Sequence, residues 1–170
     1  TFISKNKDFK NIHGFTDLGP FVASLKRPRK IWLMIKSGAA VDGLINDLVS
    51  LLEEGDIIVD GGNSHYPDTQ RRAQELQKNK IHFVGCGVSG GELGARYGAS
   101  IMFGGSVDAY RALSPLLDKI AAKDLTKKPC QSYMGKEGAG HFVKMVHNGI
   151  EYAEMQLLAE TFAVLSQQMC

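Results

Sequence analysis

The chain has 170 residues, enough for one domain with a hydrophobic core. Its apolar fraction of 44% and charged fraction of 22% are ordinary for a globular protein, and its net charge of +2 gives no general attraction to nucleic acid or to an anionic membrane. Its apolar runs are far too short to cross a bilayer. We therefore expect neither nucleic acid nor a membrane as a partner.

The first local features are a basic cluster and three cysteines. "KRPRK" (26–30) is interpreted as a solvated turn before a strand, not as a nucleic-acid site. Cys86, Cys130 and Cys170 are odd in number and widely spaced, which predicts reduced thiols in a cytoplasmic protein. No Cys/His spacing suggests a zinc site.

Short apolar strands then alternate with helical patterns. Strands are predicted at 30–35, 56–60, 81–85, 100–104 and 130–134, and helical patterns at 39–55, 67–79 and 107–123. This alternation predicts an α/β fold with a mostly parallel sheet.

The pattern changes near Gly135, where one helical stretch of about thirty residues begins. We expect residues 1–134 to form an α/β domain and residues 135–170 to start a helical domain. The long helix would be poorly buried, and the sequence does not begin with Met. We therefore expect the chain to be a piece of a longer protein.

"GCGVSG" (85–90) matches the dinucleotide motif GxGxxG after a predicted strand. However, the following "GELGARYGAS" contains three more glycines and is a poor helix former. A glycine-lined loop at a strand end, where Ser89, Gly90 and Gly91 offer donors to an anionic ligand, is the favoured alternative. A glycine turn required only by tight packing remains open.

The stretch "GHFVKMVHNGIEYAEM", starting at Gly140, places hydrogen-bonding side chains at positions i, i+3, i+4, i+7 and i+8 of a helix. Apolar residues share the opposite face. A solvated polar face is the simplest interpretation of such a stripe. Its members are Lys144, His147, Asn148, Glu151 and Tyr152.

Three segments in order, "DGGNSHYPDTQRR", "VGCGVSGGELGARYG" and "GAGHFVKMVHNGIEY", together resemble the 6-phosphogluconate dehydrogenase family of the pentose phosphate pathway. The resemblance implies that residues 1–134 are a partial NADP-binding Rossmann-type domain and that residues 135–170 start the family's C-terminal helical domain. It also implies oxidative decarboxylation of 6-phosphogluconate to ribulose 5-phosphate and CO2 with NADP as cofactor, in a homodimer.

The resemblance implies a role for each matching residue. Lys144 would be the general base and acid at the substrate's C3 oxygen, and Glu151 would supply the proton to C1 of the enediol that results when CO2 leaves. A base must be partly neutral near the working pH, so this role requires a lowered lysine pKa. The substrate-binding matches are Asn63, Ser89, Gly90, Gly91, His147, Asn148 and Tyr152, and the cofactor-binding matches are Ile35, Lys36, Ser37 and again Asn63.

The resemblance also implies gaps and departures. The family's glycine-rich pyrophosphate turn, its 2′-phosphate site and most of its helical domain have no counterpart in the sequence, so we expect an incomplete catalytic piece. Leu93, Ala99 and Phe103 depart from the family pattern beside the substrate loop. Two other hypotheses remain: a different β-hydroxyacid dehydrogenase, and a non-catalytic subunit-interaction module.

Overall fold

The computed structural model describes residues 2–6 and 8–168. The helices are α1 (Phe2–Lys5), α2 (Leu18–Ser24), α3 (Ala39–Val49), α4 (Tyr66–Gln77), α5 (Gly91–Tyr97), α6 (Val107–Ile120) and α7 (Ala139–Gln168). The strands are β1 (Lys30–Leu33), β2 (Ile57–Asp60), β3 (His82–Ser89), β4 (Ser100–Gly104) and β5 (Gln131–Gly135).

The five strands form one sheet in the order β1-β2-β3-β4-β5. Pairing is parallel except between β3 and β4, which are antiparallel. The carboxyl ends of β1, β2 and β3 therefore meet at the same edge of the sheet, where open α/β sheets bind ligands. The predicted mostly parallel α/β fold is confirmed.

Apolar side chains alternate along the strands and supply a core on both faces of the sheet. Ile57 and Val59 pack on the face covered by α6, with Phe103 and Leu113. Ile58 belongs to the other face, which packs against α3. Burial on both faces explains the continuous apolar strands.

The basic cluster before β1 is exposed, as predicted for a solvated turn, except at Arg29. Arg29 is only 7% exposed. Its Nη1 lies 2.9 Å from Asp56 Oδ2, and its backbone N–H donates to Asp56 Oδ1 at 2.6 Å. A buried guanidinium requires such a partner, so this arginine joins the start of β1 to the start of β2.

α7 is buried only near its beginning. Its first turns pack against β3, β4 and α4, whereas every residue from 149 to 167 is exposed. The predicted poor burial of this helix is confirmed. None of the helices within residues 2–6 and 8–168 has the length and apolar character needed to cross a membrane.

Two of the three cysteines lie in the described part of the chain. Cys86 is a buried free thiol in β3, and Cys130 is a free, half-buried thiol. Burial raises the pKa of Cys86 to about 12, an effect reinforced by the charge of Asp60. Cys170 lies outside the described residues.

Candidate active site

A cleft of about 800 Å³ opens at the carboxyl ends of β1, β2 and β3, and α7 forms one of its walls. It is lined by all of the predicted site residues except His147. Side chains separated by more than a hundred positions in sequence therefore share one cavity. The remaining lining residues are Met34, Gly61, Gly62, Val88, Ala95, Ala99 and Met155.

Lys144 points from the second turn of α7 into the cleft. Its Nζ donates to Asn63 Oδ1 at 2.7 Å and also to the carbonyl oxygen of Val88. Burial lowers the pKa of Lys144, while the nearby Cys86 acts weakly in the opposite direction. The lowered pKa is the property that a lysine base requires.

The turn that carries Asn63 is held from behind by Asp60, the last residue of β2. Asp60 Oδ1 accepts from the backbone N–H of Gly62 at 3.0 Å, and Oδ2 accepts from Ser64 Oγ at 2.6 Å. The buried Arg72 lies 3.8 Å from the same carboxylate. These contacts fix the position of the lysine's acceptor.

The polar face of α7 is only partly directed at the cleft. Lys144, Asn148, Glu151 and Tyr152 line it, but His147 does not. Since each residue rotates about 100° around a helix, His147 lies on the side of the stripe farthest from Tyr152. Its Nδ1 is 3.2 Å from Asn148 Oδ1 and 3.8 Å from Glu151 Oε2.

The first two glycines of "GCGVSG" are not part of a loop, because β3 continues through Gly85 and Gly87 to Ser89. A Cβ on Gly85 would lie 2.5 Å from Thr69 Cγ2, and one on Gly87 would lie 2.8 Å from the carbonyl oxygen of Gly140. These two glycines permit close packing of α4 and α7. Close packing thus accounts for this part of the motif, which forms no dinucleotide turn.

Only the end of the motif forms a turn. Gly90 has φ of 140° and lies in this turn, directly before α5. Because α5 forms within "GELGARYGAS", the prediction that this stretch is a poor helix former was wrong. A Cβ on Gly90 would lie 2.9 Å from Gly94 Cα, so this turn before the helix requires a glycine. Ser89, Gly90 and Gly91 line the cleft at this turn.

The three departures from the family pattern lie in different surroundings. Ala99 is buried and lines the cleft. Leu93 is 72% exposed on α5, and Phe103 is fully buried, with its ring 5.2 Å from that of Tyr110. Ala99 alone is therefore placed to alter the shape of the cleft.

The residues present fit the reactive end of a nicotinamide cofactor but not its pyrophosphate. Ile35, Lys36 and Ser37 follow β1 and line the cleft beside Asn63, at the neighbouring end of β2. Adjacent carboxyl ends of parallel strands are the usual location of such a ligand. Gly85 and Gly87, the first two glycines of the GxGxxG match, are covered by α4 and α7, so this segment cannot cradle a pyrophosphate.

Two buried polar residues behind the cleft were not predicted from the sequence. His141 is 3% exposed and Arg72 is 1% exposed, and both contact groups of Asp60. The signal was the spacing of His141 three residues before Lys144, directly after the small residues "GAG". Small residues ahead of a polar side chain indicate a helix start that packs closely.

Two family models match the chain. One, the NAD binding domain of 6-phosphogluconate dehydrogenase, matches residues 3–135, and the other, the 6-phosphogluconate dehydrogenase C-terminal domain, matches residues 140–170. A curated relative from Saccharomyces cerevisiae, named 6-phosphogluconate dehydrogenase, decarboxylating 1, is 52% identical over 98% of this chain and 34% of its own length. A relative of the same enzyme name from Chlamydia muridarum is 52% identical over 99% of this chain and 35% of its own.

Solved structures give the same result. The structure of Plasmodium falciparum 6-phosphogluconate dehydrogenase, described in apo form and in complex with NADP+ or 6-phosphogluconate, matches with a TM-score of 0.88 and 41% identity. The match covers 95% of this chain and 34% of that one. A 3-hydroxyisobutyrate dehydrogenase from Mycobacterium tuberculosis has a TM-score of 0.78 at 21% identity over 90% of this chain and 50% of that one, a likeness of fold alone.

The fold and the cleft define a Rossmann-type α/β domain continued by a long helix that supplies one wall of the ligand site. Within that class, the chain belongs to the 6-phosphogluconate dehydrogenase family. It spans about a third of the length of the curated relatives that it matches.

Proposed function

We propose that this chain is the part of a decarboxylating 6-phosphogluconate dehydrogenase that holds the catalytic lysine and glutamate. The full-length protein would convert 6-phosphogluconate to ribulose 5-phosphate and CO2 as NADP is reduced. One observation carries the proposal: the partly buried amine of Lys144, with its lowered pKa, meets Asn63 in a cleft lined by the predicted substrate and cofactor residues.

The chain's own groups account for the proton movements of this reaction. In the first step the neutral amine of Lys144 removes the proton of the C3 hydroxyl, and a 3-keto acid forms. NADP, when bound, supplies the acceptor for the hydride that leaves C3. Burial favours the neutral amine that this step needs.

In the second step the C1–C2 bond breaks, CO2 leaves, and the electron pair moves toward the C3 oxygen. The Lys144 ammonium returns its proton to that oxygen, which gives an enediol. Glu151 then donates a proton to the former C2, which becomes C1 of the product, and the neutral amine of Lys144 takes the hydroxyl proton as the enediol becomes the ketone. Lys144 and Glu151 are seven residues apart on α7, about 10 Å of helix rise, so flexible side chains can reach opposite ends of a three-carbon unit.

The remaining cleft residues would bind and orient the ligands. Asn148 and the turn formed by Ser89, Gly90 and Gly91 would hold hydroxyl and carboxylate groups, and Tyr152 would reach the phosphate. His147 would act from the rim, since it contacts Asn148 and Glu151. Ile35, Lys36, Ser37 and Asn63 would contact the nicotinamide.

The domain division at 134/135 and the quaternary state are parts of the same proposal. β5 ends at Gly135 and α7 begins at Ala139, which supports a boundary between a sheet domain and a helical domain. The family resemblance supports a cytoplasmic homodimer.

Ligand binding tests the proposal on the chain as it is. The isotopically labelled chain is titrated with 6-phosphogluconate, with gluconate and inorganic phosphate as matched controls, and followed by NMR. We expect weak binding, with a Kd on the order of 1 mM or above. The resonances of Lys144, Asn148, Tyr152 and the turn 89–91 should move, and gluconate should move those of Tyr152 less.

Two outcomes would contradict the proposal. Equal responses to 6-phosphogluconate and gluconate would favour a β-hydroxyacid dehydrogenase for a non-phosphorylated acid. Changes confined to surface lysines such as Lys80, with none in the cleft, would favour the subunit-interaction module. In the full-length protein, Lys144→Ala should lower turnover about 10²–10⁴-fold.

A further inference from the structure

His141, a buried residue outside the cleft, joins the three elements that lie behind Lys144. It sits in the first turn of α7 and is 3% exposed. Its Nδ1 lies 2.8 Å from Thr69 Oγ1 of α4, and its Nε2 lies 3.1 Å from the carbonyl oxygen of Asp60, the last residue of β2.

Hydrogen-bond chemistry fixes the protonation of this ring. A carbonyl oxygen can only accept, so Nε2 carries the proton and donates to Asp60, while Nδ1 accepts from the hydroxyl of Thr69. Burial lowers the pKa of His141, against an opposing effect of Asp60, and the charges of Lys144 and Arg72 lower it further. The ring is therefore a neutral connector with one tautomer.

His141 and its partner Asp60 each lie three residues before a member of the Lys144–Asn63 hydrogen bond. His141 precedes Lys144 by three residues, so both lie on the same side of α7 about one turn apart. Asp60 precedes Asn63 by three residues, and its carboxylate fixes the turn between them. The ring thus bridges the two segments that carry the donor and the acceptor of the Lys144–Asn63 hydrogen bond.

Glycines let this bridge form at close range. Gly85 of β3 lies under the ring, where an added Cβ would be 3.0 Å from His141 Nδ1. Gly140 lies between strands, where a Cβ would be 2.2 Å from the carbonyl oxygen of Met102 and 2.3 Å from that of Gly85. The beginning of α7 is therefore seated on the backbone of β3 and β4 rather than on side chains.

We propose that His141 is a positioning residue, which holds Lys144 against Asn63 by tying α7 to the end of β2 and to α4. The assignment rests on the proposed function in one respect, since Lys144 is taken to be the base. Its test needs no substrate, however, so a failure here is separate from a failure of 6-phosphogluconate to bind.

The experiment measures the pKa of Lys144 by NMR in the 170-residue chain with isotopically labelled lysine, with the resonance assigned from Lys144→Arg. In His141→Leu, which keeps bulk but removes both hydrogen bonds, water should reach Nζ, and the pKa of Lys144 should rise toward that of an exposed lysine. The side-chain amide resonance of Asn63 should move at the same time. His141→Gln keeps a donor for the Asp60 carbonyl and should restore most of both signals.

Met145→Gln is the matched control, because Met145 is exposed next to Lys144 on the same helix and is not part of the cleft lining. It should leave the pKa of Lys144 unchanged. A folded His141→Leu chain with the parent pKa would overturn the proposal, as would an equal change in Met145→Gln. If His141→Leu does not fold, Thr69→Val replaces it, because it removes only the hydroxyl that holds Nδ1; an unchanged Lys144 pKa there would also overturn the proposal.

Discussion

Lys144 Nζ donates a 2.7 Å hydrogen bond to Asn63 Oδ1, across 81 positions of sequence. Lys144 lies on α7, and Asn63 lies in the turn after β2. A neutral acceptor holds the amine in place without stabilising its charge as strongly as a carboxylate would. The hydrogen bond to Asn63 therefore fixes the position of the Lys144 amine and still allows its pKa to be lowered.

Asn63→Asp tests whether the neutral acceptor allows the lowered pKa of Lys144. A carboxylate at the same distance favours the ammonium form, so we predict that the pKa of Lys144 rises and that less of it is available as a base at neutral pH. NMR titration of labelled lysine gives the measurement. Asn79→Asp adds the same charge at an exposed position in the turn after α4 and serves as the control. Equal pKa values in the two variants would contradict the prediction.

The buried Arg72 gives the fold a predictable dependence on pH. Its guanidinium donates to both oxygens of Asp42, at 2.8 and 3.0 Å, and this contact lowers the pKa of Asp42 from 3.8 to about 2. A carboxyl with a lowered pKa in the folded state stabilises the fold above its unfolded pKa. That contribution is lost as the pH falls from about 4 toward 2.

We therefore predict that Asp42→Asn lowers the free energy of unfolding at pH 7 by about 1–2 kcal/mol, discounted because Asp42 is part-exposed. The difference from the parent chain should shrink between pH 4 and pH 2. Urea unfolding at several pH values measures it. Asp47→Asn, on the same helix, is the control; a difference that stays constant down to pH 2 would be inconsistent with this account.

Much of this arrangement could be predicted from the sequence. Strand periodicity identified all five strands, and the resemblance selected the residues of the cleft. Those predictions succeed because a strand end and a helix face are local properties. Arg29 was misread because a buried partner such as Asp56, 27 positions away, leaves no local signal.

The role of the motif glycines could not be predicted from the sequence for the same reason. Gly85 and Gly87 match a turn motif, but their role is set by α4 and α7, which come from distant parts of the sequence. His141 was missed for a similar reason, because a buried histidine and a surface histidine look alike until their neighbours are known. His147 was placed in the stripe by spacing, but the direction of the cleft relative to the helix axis depends on tertiary packing.

The reactivity of Cys86 offers a further check on packing beneath Lys144. Because burial raises its pKa to about 12, we predict that iodoacetamide at pH 8 modifies it on the order of 10²-fold more slowly than Cys130. Peptide mass spectrometry distinguishes the two sites, and in urea the two rates should converge. Similar rates in the folded chain would mean that β3 opens readily in solution.

The packing of α7 against the sheet can be tested with two glycines of this helix. A Cβ on Gly140 would lie 2.2 Å from the carbonyl oxygen of Met102, a backbone atom that cannot rotate away. Gly149 has nothing within 4 Å of the corresponding position. We predict that Gly140→Ala lowers the free energy of unfolding by about 2–3 kcal/mol through overpacking, whereas Gly149→Ala raises it by about 0.5–1 kcal/mol through helix propensity.

Urea unfolding followed by the fluorescence of Trp32, the single tryptophan, measures both changes. The comparison isolates the packing of α7 against the sheet, because each variant adds one methyl group to α7. In Gly140→Ala the resonance of Lys144 should also shift, since the helix must move off β3 and carry the amine with it. Equal stabilities for the two variants would mean that α7 is not seated on the sheet as the structure has it, and that Lys144 is positioned by some other contact.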